Sequence, residues 1–440
     1  MKKITVVGGG NAGCFTALYC AWMDKQKDFE VELIYDPEIP PERVGQATIL
    51  EASALLWAAT GFNWYDNKIH ATMKSGILYE NWGGTDKLFH PFPADSMAIH
   101  YCPWEMQASI LTSGRFKTTY KNLPELDNID SDYIFDCSGK PDNYDNYEEL
   151  INPINACILA EPNWSTAKNP WSRHVATPDG WCFVIPTRKK SPSFKYCVGY
   201  CYNSDITSQE EAEENFLNMF DVSVTKHVQF KNYVAKEPVI DNRIFLNGNR
   251  LFFLEPLESS STQTYIEMAR AVFDYYLQGR VSAIHVKEDI RRYIQQLQNF
   301  VLWHYQFGSK YDTPFWDYAK KISFKDDKFD AMLDYCKELG GSMNQLGSFT
   351  DFIHANINDY YKQAPEIFEV SNKTNSSILV PSNSGLGTNA ILRKPPGVIP
   401  SFFGPNSMKK HVAAFKEQGA SYSIVKNFNI AFLLIISSCQ

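Results

Sequence analysis

The sequence has little of what marks a membrane, secreted or nucleic-acid-binding chain. Its last apolar run, 428–436, is far shorter than the roughly 20 residues a helical span requires. No cationic segment precedes the first apolar run, which begins at Ile4 and breaks at Gly8, so neither a membrane partner nor a secretory leader is expected. Basic clusters such as Arg188-Lys189-Lys190 are short and the net charge is −8, which argues against a nucleic-acid partner. The ten cysteines lack metal-ligand spacing, so no metal site is expected. Cys14, Cys20, Cys137 and Cys197 fall within apolar patterns and read as buried thiols of a reducing, cytoplasmic setting. No repeat is found. What remains is 440 residues, enough for a large core, with 14% aromatics to build flat binding surfaces.

The chain opens as strand, glycine turn, helix and strand. Ile4-Thr5-Val6-Val7 is β-branched, and Gly8-Gly9-Gly10-Asn11-Ala12-Gly13 fits G-x-G-x-x-G. A helical pattern follows, then an alternating strand, Val31 to Tyr35, ending at Asp36. Glycines let the backbone approach a pyrophosphate at the helix N-terminus, and an acid about 20 residues on accepts ribose hydroxyls. This predicts a dinucleotide site at Gly8, Gly9, Gly10, Asn11, Ala12, Gly13 and Asp36. The segment Asp132 to Gly139, a strand running into a Ser-Gly turn, sits where flavoproteins with two dinucleotide folds close the first one, and favours FAD over NAD. It also reads as one more buried strand.

Four further stretches carry candidate chemistry, each beside a plainer reading. The prolines of 37–43 exclude regular structure before Val44-Gly45-Gln46-Ala47-Thr48, which is expected to wrap over the cofactor. Lys74 precedes the apolar strand of Ile77 and Tyr79, where a lysine is ordinarily a solvated edge residue. In Trp181-Cys182-Phe183-Val184-Ile185-Pro186 the alternation of Trp181, Phe183 and Ile185 places them on one face, as core or as a cofactor wall. In Phe252-Phe253-Leu254-Glu255-Pro256-Leu257-Glu258-Ser259-Ser260-Ser261-Thr262 an apolar run stops at a carboxylate and then breaks into hydroxylated residues before a helix. Those residues are either caps or an anion seat made of free N–H groups. Beyond about 289 the pattern turns helical, over 290–305, 328–339 and 351–362, with an irregular stretch over 371–407.

Together these stretches resemble the flavin-dependent tryptophan halogenase family from residue 4 to about Trp316. GGGNAG is similar to its FAD fingerprint, VGQAT to its cofactor loop, and MKSGILYENW to the strand bearing its essential lysine. WCFVIP is similar to its W-x-W-x-I-P signature, LEPLESSST to its P-L-E-S-T-G string, and HYQFGSKYDTPFW to its segment ending in Thr-Pro-Phe-Trp. The resemblance implies a mixed α/β fold: an FAD-binding body with two dinucleotide folds and an embedded antiparallel substrate sheet over 1–288, and a helical C-terminal region over 289–440 packed on it.

The implied activity is halogenation of a small indole- or phenol-like substrate. FADH2 from a separate flavin reductase reacts with O2 to a flavin hydroperoxide, which halide attacks to give hypohalous acid. This oxidant travels a tunnel to Lys74 and Glu258. Lys74 holds it, and Glu258 stabilises the cationic ring and takes its proton. Gln46 and Thr262 are implied at the cofactor, Ser260 and Ser261 at the halide, His90 and Phe92 against the substrate, and Trp181, Phe183, Ile185 and Pro186 as the barrier. His90 alone would read equally as a surface loop residue. A homo-oligomer is left open.

Three departures stand out: Phe183 in place of the second Trp, Ser260-Ser261 in place of Thr-Gly, and Gln46 in place of Glu. With the shorter region after Trp316 they predict a more open pocket in which tryptophan is not preferred. Two other classes remain. A flavin hydroxylase or reductase predicts halide-independent product and substrate stacked on the flavin. A non-catalytic FAD-binding protein predicts binding without turnover.

Overall fold

The computed structural model describes residues 1–322 other than 42, 64–66, 84–85, 92–97, 123–124, 167–168, 187–195 and 258. The segments 328–339, 351–362 and 371–407 lie outside the described residues.

The β-branched opening forms the strand Lys2–Val7, at the centre of a six-stranded sheet. It pairs in parallel with Phe29–Tyr35 on one side and Tyr133–Asp136 on the other, and Lys117–Tyr120 and Ile244–Leu246 extend the parallel run outward. The intervening helix Asn11–Met23 has no polar stripe, and every residue from Asn11 to Cys20 is buried. A helix apolar on all sides must be covered on all sides; the sheet takes one side and the helices Leu50–Thr60, Pro103–Leu111 and Ser261–Arg270 take others.

A second sheet of seven strands runs in the order Val222–Gln229, Ala156–Pro162, Val198–Tyr202, Gly180–Val184, Ser172–Thr177, Gly76–Glu80, Lys87–Pro91. All its pairings are antiparallel except Ser172–Thr177 with Gly76–Glu80. A three-stranded antiparallel sheet, Gln46–Ala47, Ala98–Tyr101 and Thr72–Lys74, lies between the cofactor loop and the strand carrying Lys74. The helix Ala283–Phe307 is capped by Ser282, whose hydroxyl accepts from His285 N–H. It runs unbroken through 288/289, so the boundary expected there falls inside a helix. The described cysteines, eight in number, are buried.

The helix Ser261–Arg270 is tied down at its far end by a buried charge cluster. Arg270, fully buried, donates from Nη1 to both oxygens of Glu267 at 2.7 Å and from Nη2 to Glu51 Oε2 at 2.5 Å. Gln263 Nε2 also donates to Glu267, at 2.7 Å. Burial, opposed by Arg270, lifts the Glu267 carboxyl from 4.5 to about 8. A folded-state value above the unfolded one means that the folded chain holds the extra proton between those limits. Stability from this site is therefore full below about pH 4.5 and is lost as pH rises through 8. Glu267→Gln is expected to flatten that part of the stability profile, as read by urea unfolding across pH 5–8.

Candidate functional site

The glycine turn takes its shape from two close approaches. Gly8 has φ +109°, and a Cβ there would lie 2.3 Å from the Cys137 carbonyl oxygen; one on Gly13 would lie 1.9 Å from the Gly8 carbonyl oxygen. Around Gly10 there is open space, with nothing within 4 Å of an added Cβ. Gly10 precedes the helix Asn11–Met23 and supplies no side-chain cap, which leaves a helix N-terminus facing a cradle of the kind a pyrophosphate occupies. Gln107 Nε2 pins the turn by donating to the Gly9 carbonyl at 2.6 Å. The second predicted turn is fixed as well: Asp136 Oδ1 accepts from Ser138 N–H (3.0 Å) and Oγ–H (2.6 Å), and Asp136 Oδ2 from Arg250 Nε (3.0 Å). Asp36 follows directly on the strand Phe29–Tyr35, as the fingerprint requires. Gly13→Ala forces backbone apart at a cost of about 1–3 kcal/mol and is expected to abolish flavin retention, read by the flavin absorbance of the purified protein.

Three cofactor-side residues expected from separate stretches meet in one network. Gln46 Oε1 accepts from Asn11 Nδ2 at 2.7 Å and from the Tyr101 hydroxyl at 2.8 Å; that hydroxyl also lies 3.1 Å from Thr262 Oγ1. Asn11 Oδ1 is buried with no hydrogen-bond partner among the described residues. An unmet buried acceptor beside an open helix N-terminus fits a donor-bearing ligand such as FAD. Tyr101, at the node of this network, was not singled out in sequence; as a fully buried tyrosine it needed a hydroxyl partner, but nothing local said which.

Lys74 corrects the plainer sequence reading. It ends the strand Thr72–Lys74, pairs with Ala98 in the small sheet and is fully buried, so it is no solvated edge residue. Next to it, Ser75 donates through both N–H and Oγ–H to the Pro170 carbonyl, at 2.6 and 2.7 Å. Three buried histidines lie nearby: His100 and His174 feel the lysine's charge, and His304 acts on His174. His100 is held between Ser172 Oγ (2.9 Å, Nε2) and Thr72 Oγ1 (3.2 Å, Nδ1). His174 lies 5.0 Å from the Trp181 ring, and His304 stacks on Tyr79 at 5.7 Å. Burial first, and the Lys74 charge second, push His100 and His174 well below the ordinary imidazole range. Both are therefore neutral at physiological pH.

The aromatic stripe is buried, with Trp181 and Phe183 on one face of the strand Gly180–Val184 and their rings 6.1 Å apart. Ile185 lies just beyond the strand end. Phe183 packs onto Gly199, its partner in register, where a Cβ would come within 2.2 Å of the ring. The carbonyl of Pro186 accepts from Thr72 Oγ1 at 3.3 Å and so joins the end of the stripe to the strand of Lys74. Ser260 occupies the N-cap of Ser261–Arg270 without a side-chain capping bond, and Ser259 before it has φ +55°, a left-handed conformation unusual for serine. The hydroxyl-capping alternative is thus not realised at Ser260. Glu258 and Phe92 lie outside the described residues, as does the side chain of His90, whose backbone pairs with Ile77.

The carboxylate that is described in this stretch is Glu255. It is 1% exposed and accepts from Trp181 Nε1, Tyr305 Oη and Asn152 Nδ2 at 2.7, 2.8 and 2.9 Å. Burial raises its carboxyl above the usual range, with the three hydrogen bonds opposing. In sequence it was only the end of an apolar run; its place between Leu254 and Pro256 was the available signal.

A family model described as tryptophan halogenase matches residues 3–123 and 123–369. Tryptophan 6-halogenase ThaL of Streptomyces albogriseolus is 21% identical over 442 residues, covering 76% of this chain and 82% of its own. Tryptophan 7-halogenase RebH of Lentzea aerocolonigenes is 21% identical over 434 residues, covering 74% and 80%. Among solved structures, MibH, a lathipeptide tryptophan 5-halogenase, superposes with a TM-score of 0.65 at 18% identity, covering 99% of this chain and 94% of its own. Xcc4156, a flavin-dependent halogenase from Xanthomonas campestris, gives 0.64 at 14% identity, covering 95% and 94%. Among the described residues no helix is long and apolar enough to cross a membrane.

Proposed function

Because the chain belongs to the tryptophan halogenase family and so to the flavin-dependent halogenases, we propose that its site halogenates a small indole- or phenol-like ring by electrophilic substitution. The observation that carries this reading is the complete burial of Lys74 beside the Trp181 wall. An ammonium withdrawn from water is costly to fold and is effective as a hydrogen-bond donor and electrostatic catalyst in a low-dielectric site.

On the cofactor side, Gly8, Gly9, Gly10, Asn11, Ala12, Gly13 and Asp36 would hold FAD, with Gln46, Tyr101 and Thr262 bracing the site. Reduced FAD, delivered by a separate reductase, supplies with dioxygen the two-electron oxidation that turns halide into hypohalous acid. The N–H groups around Ser260 and Ser261 seat the halide. Trp181, Phe183, Ile185 and Pro186 keep the aromatic substrate away from the cofactor while the small oxidant passes. Lys74 donates to hypohalous acid and raises its electrophilicity. The neutral imidazoles of His100 and His174 do not compete with it as cations. Glu258, three residues after Glu255 in the sequence, stabilises the cationic ring and accepts its proton. His90 and Phe92 stack on the substrate.

The test supplies FAD, a flavin reductase, NADH and a halide to the full chain over a panel containing free tryptophan, other indoles and phenols. Halogenated products are expected, with kcat/KM for tryptophan no higher than for several other rings, consistent with Phe183 and the open pocket. Strict selectivity for tryptophan would contradict the open pocket. Hydroxylated product independent of halide would contradict halogenation.

A further inference from the structure

Glu255 has no part in the chemistry just assigned, yet three side-chain donors from three segments converge on it. Trp181 comes from the strand Gly180–Val184, Tyr305 from the helix Ala283–Phe307, and Asn152 from the turn before Ala156–Pro162. The backbone N–H of Glu255 donates to Asn232 Oδ1 at 3.0 Å, which holds the chain as well as the carboxylate. Asn152 cannot turn its amide over to suit another partner, because its Oδ1 already accepts from Ile154 N–H at 2.8 Å. The site therefore asks for a group that only accepts, and among side chains an ionised carboxylate is that group. One of the donors is the indole of Trp181, fully buried and assigned above to the barrier between substrate and cofactor. In sequence, Glu255 stands three residues before Glu258 and five before Ser260.

We propose that Glu255 is a positioning residue for halogenation, fixing the Trp181 indole through its Nε1–H so that the wall stays closed to substrate and oxidant is delivered toward Lys74. This rests on the halogenase reading above. Losing the bond frees the indole to rotate about χ2. Oxidising equivalents are then lost before they reach the aromatic ring, and reduced flavin is spent without product.

The quantity to measure is halogenated product formed per NADH consumed, with hydrogen peroxide release measured in parallel. Glu255→Leu removes the acceptor of all three bonds, the Trp181 indole bond among them. It is expected to lower the product ratio by about fivefold or more, with peroxide rising to match and with flavin content unchanged. Trp181→Phe removes the same bond from the other end and is expected to lower the ratio similarly; the double variant should fall no further than the single ones. A purely structural Glu255 would lower the melting temperature or flavin content and leave the ratio alone. If Glu255→Leu does not fold, Trp181→Phe carries the test. Ratios equal to wild type in every variant that folds would overturn the proposal while leaving halogenation intact. Absence of halogenated product from wild type with every halide would remove both.

Discussion

Replacing Lys74 by methionine is expected to lower halogenation by about 10²–10³-fold, the usual loss when one preorganised donor leaves a buried site, while flavin binding is unchanged. Methionine keeps most of the volume of the lysine stem and discards an ammonium that is fully buried. Replacing buried charge by apolar groups of similar volume is often neutral or stabilising by about 1–4 kcal/mol, so the melting temperature should hold or rise. Opposite movements of rate and stability separate a catalytic lysine from a scaffold one, since a scaffold residue would lose both together. Lys74→Ala should lose activity equally but also stability, through the cavity it leaves. Product quantification and thermal melts on the two variants check this. Activity within about twofold of wild type in Lys74→Met would remove Lys74 from the mechanism.

Arg270→Met is expected to cost about 3–5 kcal/mol of stability, because breaking a buried ion pair leaves its partners uncompensated. Here the partners are Glu51 and Glu267, both buried. The effect should extend to the cofactor. Arg270 joins the last turn of Ser261–Arg270 to Glu51 on Leu50–Thr60. The first helix presents Thr262, and the second follows the segment of Gln46. Flavin retention should therefore fall with stability. Adding Glu51→Leu and Glu267→Leu should recover much of the loss by removing the stranded carboxyls. Urea unfolding followed by fluorescence and by flavin release reads both effects. A loss below about 1 kcal/mol would mean that water or a shared proton already compensates the carboxylates.

The parts legible in the sequence are those in which a local pattern has one physical meaning. A β-branched strand, a turn that forbids Cβ atoms at Gly8 and Gly13, and an acid at the end of the next strand are dictated by residues close together in the chain. The stripe of Trp181 and Phe183 followed from alternation alone. Lys74 was different. It pairs with Ala98 and lies by His100 and His174, all distant in sequence, whereas its immediate neighbours look like a strand edge. Tyr101 and Glu255 were passed over for a related reason. Each is defined by the donors and acceptors that meet it, and those arrive from three segments at Tyr101 and from four at Glu255.

The most direct measurement is the mass of the aromatic product when bromide replaces chloride as the only halide, with reduced flavin supplied to the full chain. A product that carries bromine in the first case and chlorine in the second, and no halogenated product when halide is withheld, is what this account predicts. The same oxygenated product under all three conditions would contradict it.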